Sequence, residues 1–400
     1  MAIQQITFTQ MARKTNNSKQ GQSMTSFHYV TILAILSVLN VSFFFGFGFS
    51  PTTFRCSTDL VMESVSVYLD GNGAPVIERL LQDSCGKPSI GAIRELDRSV
   101  RQLISHCKNT TDKRSLPVSK EPTITVFTTF ADHLHTNTEK ILVHNNTIKN
   151  WAKLRPRVNL ILFVNDSLWV KPSKQHGWET IELSDEGNRP PVLKEMFSKA
   201  MKRFKTPWYG YVNGDILFTS ELLDNLDFFT NTRNVTADRI MLTGRRTNID
   251  KLSLLDPTSD ANLTETARMY GTLYREDAED FFITTRVFPW EHILPVVVGR
   301  PGYDNWLVRE ARCNLQVDVI DLSNTLLAVH QTTMKGGNHE GHMHPLSNYN
   351  FEVFKKNQLT PNFLAGITDC IPFFTYYDFC KQIQVAKQTN FGHRCSCQFR

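Results

Sequence analysis

The stretch YGYVNGDILF, Tyr209 to Phe218, decides how this chain is read. Its aromatic and apolar residues are those of a strand buried on both faces. The strand closes on Asn213-Gly214-Asp215. A carboxylate at a strand end, beside a glycine that opens the backbone, sits where open α/β sheets bind ligands. Asn-Gly is also a common tight-turn pair. By itself the tripeptide is therefore a turn that carries an acid.

Working outward, the flanks supply a sheet. TITVFTTF, Thr123 to Phe130, is β-branched and apolar, a buried-strand pattern. Ile141, Leu142, Ile148, Trp151 and Leu154 mark a helix. VNLILFV, Val158 to Val164, is a second strand closed by Asn165-Asp166, and Trp178 to Leu183 a short third one. After Pro190-Pro191, the segment Val192 to Phe204 places Val192, Leu193, Met196, Phe197, Ala200 and Met201 on one helix face. Downstream, Met241 to Arg246 reads as a strand closed by two arginines, and Gly299 to Val308 (GRPGYDNWLV) as a glycine loop opening a helix. Val317 to Ile320 and Leu326 to Val329 bracket a strand-like region that ends on His330-Gln331. This alternation predicts an α/β fold, a mostly parallel sheet with helices on both faces.

The order of strands, the acidic turn and the later acid and histidine resemble the GT-A type of nucleotide-diphospho-sugar glycosyltransferases over about Thr123 to His344. The resemblance implies a nucleotide-sugar donor, UDP-sugar favoured, and Mn²⁺ or Mg²⁺ to neutralise the departing diphosphate. Family members usually carry D-x-D where this chain has N-x-D. Asp215 and His330 are then the implied metal residues, and Asn213 lends its amide carbonyl to the cation or the ribose. Asp304 is the implied catalytic base in an inverting reaction; helix N-capping is its plain structural role. Glu279 and Asp280 form an alternative acidic pair. Arg245, Arg246 and Arg300 are candidates for diphosphate or acceptor anion contact. Lys335, in the loop TTMKGGNHEGHMH, is the candidate to fold over the donor phosphates. Trp290 and Trp306 read as acceptor platform or core. H-E-G-H lacks the spacing of H-E-x-x-H, which argues against a metalloprotease.

The first sixty residues carry a separate message. Tyr29 to Phe49 holds no charge and is long enough for the roughly 20 residues a transmembrane helix needs. Arg13, Lys14 and Lys19 precede it and no acid occurs before Asp59, so the amino terminus is expected to be cytoplasmic. The run is longer than a cleaved signal's apolar core. The expected organisation is a cytoplasmic tail (1–28), a membrane anchor (29–49), a luminal stem (50–120), a GT-A-like domain (121–345) and a cysteine-containing extension (346–400). Within the stem, Ile90, Ile93, Leu96, Val100, Leu103 and Ile104 recur at helical spacing. That helix packs on the main domain or on a partner stem, the second giving a homodimer.

All eight cysteines follow the apolar run, which favours disulfides over a zinc site at Cys395-Ser-Cys397. Asn109, Asn145, Asn165, Asn234 and Asn262 each head an N-x-S/T triplet. A formal net charge of +5 without a basic cluster argues against nucleic-acid binding. The expectation is a single-pass type II glycosyltransferase of the Golgi or endoplasmic-reticulum membrane, acting on a glycan or glycoprotein acceptor. The alternative is a non-catalytic, membrane-tethered carbohydrate-binding or scaffold protein on the same fold. An adhesion ectodomain accounts for anchor, cysteines and sequons but not for the α/β pattern.

Overall fold

The computed structural model describes residue 107 and residues 121–130, 137–183, 190–333, 340–378, 380–389 and 391–397. The anchor at Tyr29–Phe49, the stem helix, the Asn109 sequon, Cys56, Cys85 and Lys335 lie outside these residues. Among the described residues no helix is long and apolar enough to cross a membrane. The chain divides into two units, Met1–Leu116 with Tyr377–Gln382, and Pro117–Tyr376 with Ile383–Arg400. In the first, Cys107 is joined to Cys380. The second carries the fold.

A nine-stranded sheet forms its centre. Strand β1 is Ile124–Thr129, β2 Val158–Phe163, β3 Glu179–Ile181 and β4 Trp208–Val212. Further along come β6, Ile240–Thr243, β9, Phe281–Thr285, and β10, Asp318–Asp321. The carboxyl-terminal β12, Phe373–Tyr377, and β13, Ile383–Lys387, complete it in the order β13-β12-β10-β6-β9-β4-β1-β2-β3. β1 runs parallel to β2 and β4, with Ile124 opposite Val158 and Trp208. β9 is antiparallel to both β4 and β6, which makes those two strands mutually parallel.

Both faces of the sheet are covered, as the continuous apolar strands require. Ile124, Val126, Leu160 and Leu162 join a core with Ile148, Trp151, Leu222 and Phe229. Those partners come from helix α1 (Thr138–Ala152) and helix α4 (Glu221–Thr232); α2 (Ser167–Gln175) adds Trp169. On the other face Phe127, Ile161 and Phe163 pack against α3 (Leu193–Arg203) and α6 (Tyr303–Cys313), through Phe197, Trp306 and Leu307. The period-2 alternation of β1 thus feeds two cores.

YGYVNGDILF is two strands, not one. β4 ends at Val212, and β5, Ile216–Phe218, belongs to a second sheet. That sheet has the order β5-β11-β7-β8, with β11 at Ala328–Gln331, β7 at Thr247–Ile249 and β8 at Thr272–Leu273. The apolar run continues across Asn213-Gly214-Asp215 because both strands are buried, so apolarity alone hides the change of sheet. α2, α4, β12, β13 and helix α5 (Asp260–Tyr270) are further elements that the periodicity did not separate from their surroundings. In the tail, Cys313 is joined to Cys397 and Cys370 to Cys395, so Cys395-Ser-Cys397 is bonded to sulfur and not to zinc.

Candidate active site

Asn213-Gly214-Asp215 turns the chain from one sheet to the other at the carboxyl end of β4. α1 fastens this turn. The Gly214 carbonyl accepts from Thr147 Oγ1 at 2.8 Å and lies 3.3 Å from His144 Nδ1. Lys140, His144 and Thr147 are buried polar residues at helical spacing on the α1 face that meets the turn. On the other side the Asp215 carbonyl accepts from the Gln331 backbone N–H at 3.0 Å. Pairing of β11 with β5 sets His330 opposite Ile216, the residue after Asp215. Register therefore brings together an acid and a histidine more than a hundred residues apart.

The two side chains meet, His330 Nε2 lying 3.3 Å from Asp215 Oδ2. His330 Nδ1 is 2.9 Å from Thr332 Oγ1, which fixes the ring. Asp215 Oδ1 is enclosed and has no hydrogen-bond partner. Burial works to raise the Asp215 pKa, but the His330 imidazole, Lys140 and Arg246 oppose it and hold the carboxyl below the ordinary carboxylate range. The result is an ionised acid with one uncommitted oxygen.

Asn213 faces inward. Its Oδ1 accepts from Tyr211 Oη at 2.9 Å and Tyr303 Oη at 3.3 Å, and its Nδ2 donates to Asp280 Oδ1 at 2.6 Å. Arg246 donates to the other oxygen of Asp280, with both side chains under a tenth exposed. Its guanidinium also lies 4.5 Å above the Tyr274 ring. Arg245 instead donates through Nε to the Tyr274 carbonyl, and its backbone N–H to Ser323 Oγ, both at 2.7 Å. Asp280 thus links the turn to Arg246 after β6.

α6 opens nearby, because Tyr303 is both its first residue and a donor to Asn213. Gly302, at φ 86°, is the N-cap and needs the left-handed region that glycine tolerates. N-capping by Asp304 is therefore not its role; Asp304 stands in the first turn, its Oδ1 accepting from the Asn305 backbone N–H at 2.9 Å. Burial, reinforced by Asp280 and Asp277, raises its pKa to about 7, with the Asn305 N–H pulling the other way. The next residue reaches the alternative acid: Asn305 Nδ2 donates to Glu279 Oε2 at 2.9 Å. Glu279 is buried and its Oε1 has no partner; burial, then Asp304, push its pKa well above the usual range.

The structure thus gathers Asn213, Asp215, His330, Arg245 and Asp304, with Arg246, Glu279 and Asp280, on the carboxyl edge of the strands. Trp290 and Trp306 are buried, Trp290 stacking 3.7 Å from Phe197 and Trp306 packing 5.2 Å from Phe354, so both serve the core. Arg300 donates to the Gly299 carbonyl, and burial lowers its pKa. Lys140, Tyr211 and Tyr303 are the participants that sequence reasoning missed. Polar residues inside an apolar helical face were the available signal for Lys140.

No protein-family model and no curated protein matches the chain. Solved structures resemble it remotely. Glucosyl-3-phosphoglycerate synthase from Mycobacterium tuberculosis, solved with Mg²⁺ and UDP, is 9% identical, covering 60% of this chain and 81% of that one at a TM-score of 0.35. A mycobacterial protein is 11% identical over 67% of this chain and 84% of its own, with a TM-score of 0.34. S. aureus TarS 1-349 in complex with UDP-GlcNAc is 13% identical, covering 40% and 51%, with a TM-score of 0.24.

Proposed function

We propose that the chain is a glycosyltransferase that moves a sugar from a nucleotide-diphosphate donor to a glycan or glycoprotein acceptor, on the luminal side of a Golgi or endoplasmic-reticulum membrane. One observation carries the reading: Asp215 has one oxygen 3.3 Å from His330 Nε2 and the other enclosed without a partner.

The donor set fits a divalent cation held jointly with substrate. Among the described residues no three His, Cys, Asp or Glu side chains are placed to ligate one ion between them. Asp215 and His330 supply two ligands, which suits an ion that takes its remaining oxygens from phosphate and water. Binding the ion would release the Nε2 proton, and His330 held with Nδ1 beside Thr332 Oγ1 would then offer its Nε2 lone pair, the usual outer-shell arrangement. A bound Mn²⁺ or Mg²⁺ would neutralise charge on the departing diphosphate. Asn213 holds its place through Asp280 and so shapes the turn, while Arg245 and Lys335 are assigned to the donor phosphates. In an inverting displacement Asp304 takes the proton of the acceptor hydroxyl as the new glycosidic bond forms and the diphosphate leaves with the electron pair of the old one. A carboxyl with a pKa of about 7 suits that work, since a general base is most effective near the operating pH.

The test is donor hydrolysis and UDP–Mn²⁺ calorimetry on the purified protein. Asp215→Ala should lower hydrolysis roughly a hundredfold or more, since cationic charge stabilisation is worth several kcal/mol. Unchanged hydrolysis in a folded Asp215→Ala protein removes Asp215 from the site. The inward-facing Asn213 favours the scaffold alternative, for which the mark is binding of neither UDP nor Mn²⁺ in that calorimetry.

A further inference from the structure

Seven N-x-S/T triplets occur in the chain, five of them after the apolar run, and the structure describes the asparagines of four of those five. Asn145 is half-buried in α1, and the hydroxyl of its triplet, Thr147 Oγ1, is buried and committed to the Val143 and Gly214 carbonyls. Asn262 spends both ends of its amide: Oδ1 accepts from the Asp256 N–H at 2.7 Å and Nδ2 donates to the Leu254 carbonyl at 3.1 Å. A glycan on Asn262 would have to displace both contacts, and at Asn145 the triplet's hydroxyl is already spent inside the fold. Asn165 is exposed, but its Oδ1 accepts from the Leu183 N–H at 2.8 Å, and it follows the carboxyl end of β2 on the edge that carries Asp215.

Asn234 combines exposure with a place on the other edge of the sheet. It is exposed on the turn between α4 and β6, while its neighbour Val235 is buried and pins the turn to the core. Thr236, also exposed, donates its hydroxyl to Asn234 Oδ1 at 2.7 Å, so the triplet's hydroxyl and carboxamide already meet. The turn leads into the amino end of β6. Since β4 and β6 run parallel, this is the edge opposite Asp215.

We propose that Asn234 is a site of N-linked glycosylation, placed where a bulky glycan leaves the sheet's carboxyl edge open. The proposal rests on the luminal orientation of the preceding reading. The donor class is an oligosaccharide on a polyprenyl pyrophosphate. A bond forms between Asn234 Nδ2 and the anomeric carbon, the carbon–oxygen bond to pyrophosphate breaks, the pyrophosphate leaves with the electron pair, and Nδ2 releases one proton. A glycan here solubilises the amino edge and projects into solvent.

The experiment is expression of the full chain in a eukaryotic secretory cell, glycosidase release in heavy-oxygen water and peptide mass spectrometry. Asn234 should be occupied in most molecules. Asn234→Gln and Thr236→Ala should each lose one glycan, Thr236→Ser should retain it, and all three should keep wild-type UDP–Mn²⁺ binding. A bare Asn234 beside glycans at other triplets overturns this proposal and leaves the luminal reading intact. No glycan anywhere on the chain overturns both.

Discussion

Two arginines close ion pairs at opposite ends of the same sheet. Arg157, before β2, grips both oxygens of Asp227 on α4 at 2.6 and 2.8 Å, where Asp227 is 36% exposed. Arg246, after β6, meets Asp280 with both side chains under a tenth exposed. The first pair is partly solvated and ties a helix to a strand. In the second, Asp280 also holds Asn213, and its neighbourhood includes Asp215, Glu279 and Asp304. Among the described residues, the two buried carboxylate oxygens that lack a partner, Asp215 Oδ1 and Glu279 Oε1, both sit at this carboxyl end. The amino end spends its charges on architecture; the carboxyl end keeps some uncommitted, and Arg246 pairs with one member of that crowd of acids.

That contrast is most sharply tested by removing each cation. Arg246→Met leaves Asp280 buried without its partner, and breaking such a pair costs about 3–5 kcal/mol. Arg157→Met exposes Asp227 to water, for which about 1 kcal/mol is expected. Urea unfolding of the two variants reads the difference directly, and equal losses would show that the two ends are energetically alike.

A smaller effect follows from Asn213→Asp, which restores the acidic pair that the family resemblance implies. Here Asn213 Nδ2 donates to Asp280 Oδ1 at 2.6 Å, so the new carboxylate would face a carboxylate. Loss of that bond and the unpaired acceptors cost about 1–3 kcal/mol. Mn²⁺ affinity in calorimetry should not rise. Tighter Mn²⁺ binding with undiminished stability would mean that residue 213 turns toward the cation and not toward Asp280.

The alternating strands, the helices at 141–154 and 192–204 and the helix after Gly302 were legible because each carries its own apolar period, and that period is a local property of the chain. The meeting of Asp215 with His330 was not encoded locally: it depends on β11 pairing with β5, two short strands of a second sheet whose apolar residues merge with their neighbours. The family resemblance proposed those two residues together, and register accounts for why they touch. The inward turn of Asn213 was hidden for another reason. Tyr211 is two residues away, but its other partners, Tyr303 and Asp280, lie 90 and 67 residues off, and no spacing rule links an amide to groups at that distance.

The smallest expected change concerns the acids beside α6, and its sign separates a reacting group from a supporting one. Asp304 is raised from an ordinary 3.8 to about 7 in the folded protein, so the folded state holds its proton more tightly than the unfolded chain does. The stabilisation this gives is full below about pH 4 and is lost as pH rises through about 7. Activity runs the other way, because only the ionised carboxyl accepts the acceptor's proton, and the rate should climb about tenfold per unit below pH 7. Glu279, raised by burial and by Asp304, shares the stability trend but is kept from bulk water, its Oε2 held by Asn305. Asp304→Asn should therefore flatten the decline of stability between about pH 4 and 7, and Glu279→Gln the decline above the ordinary carboxyl range, both measured by thermal unfolding. Only Asp304→Asn should also abolish the rising limb of the pH–rate profile. A limb that survives in Asp304→Asn and vanishes in Glu279→Gln would transfer the proton-accepting role to Glu279, and the uncommitted charge at this end would then lie with the buried acid.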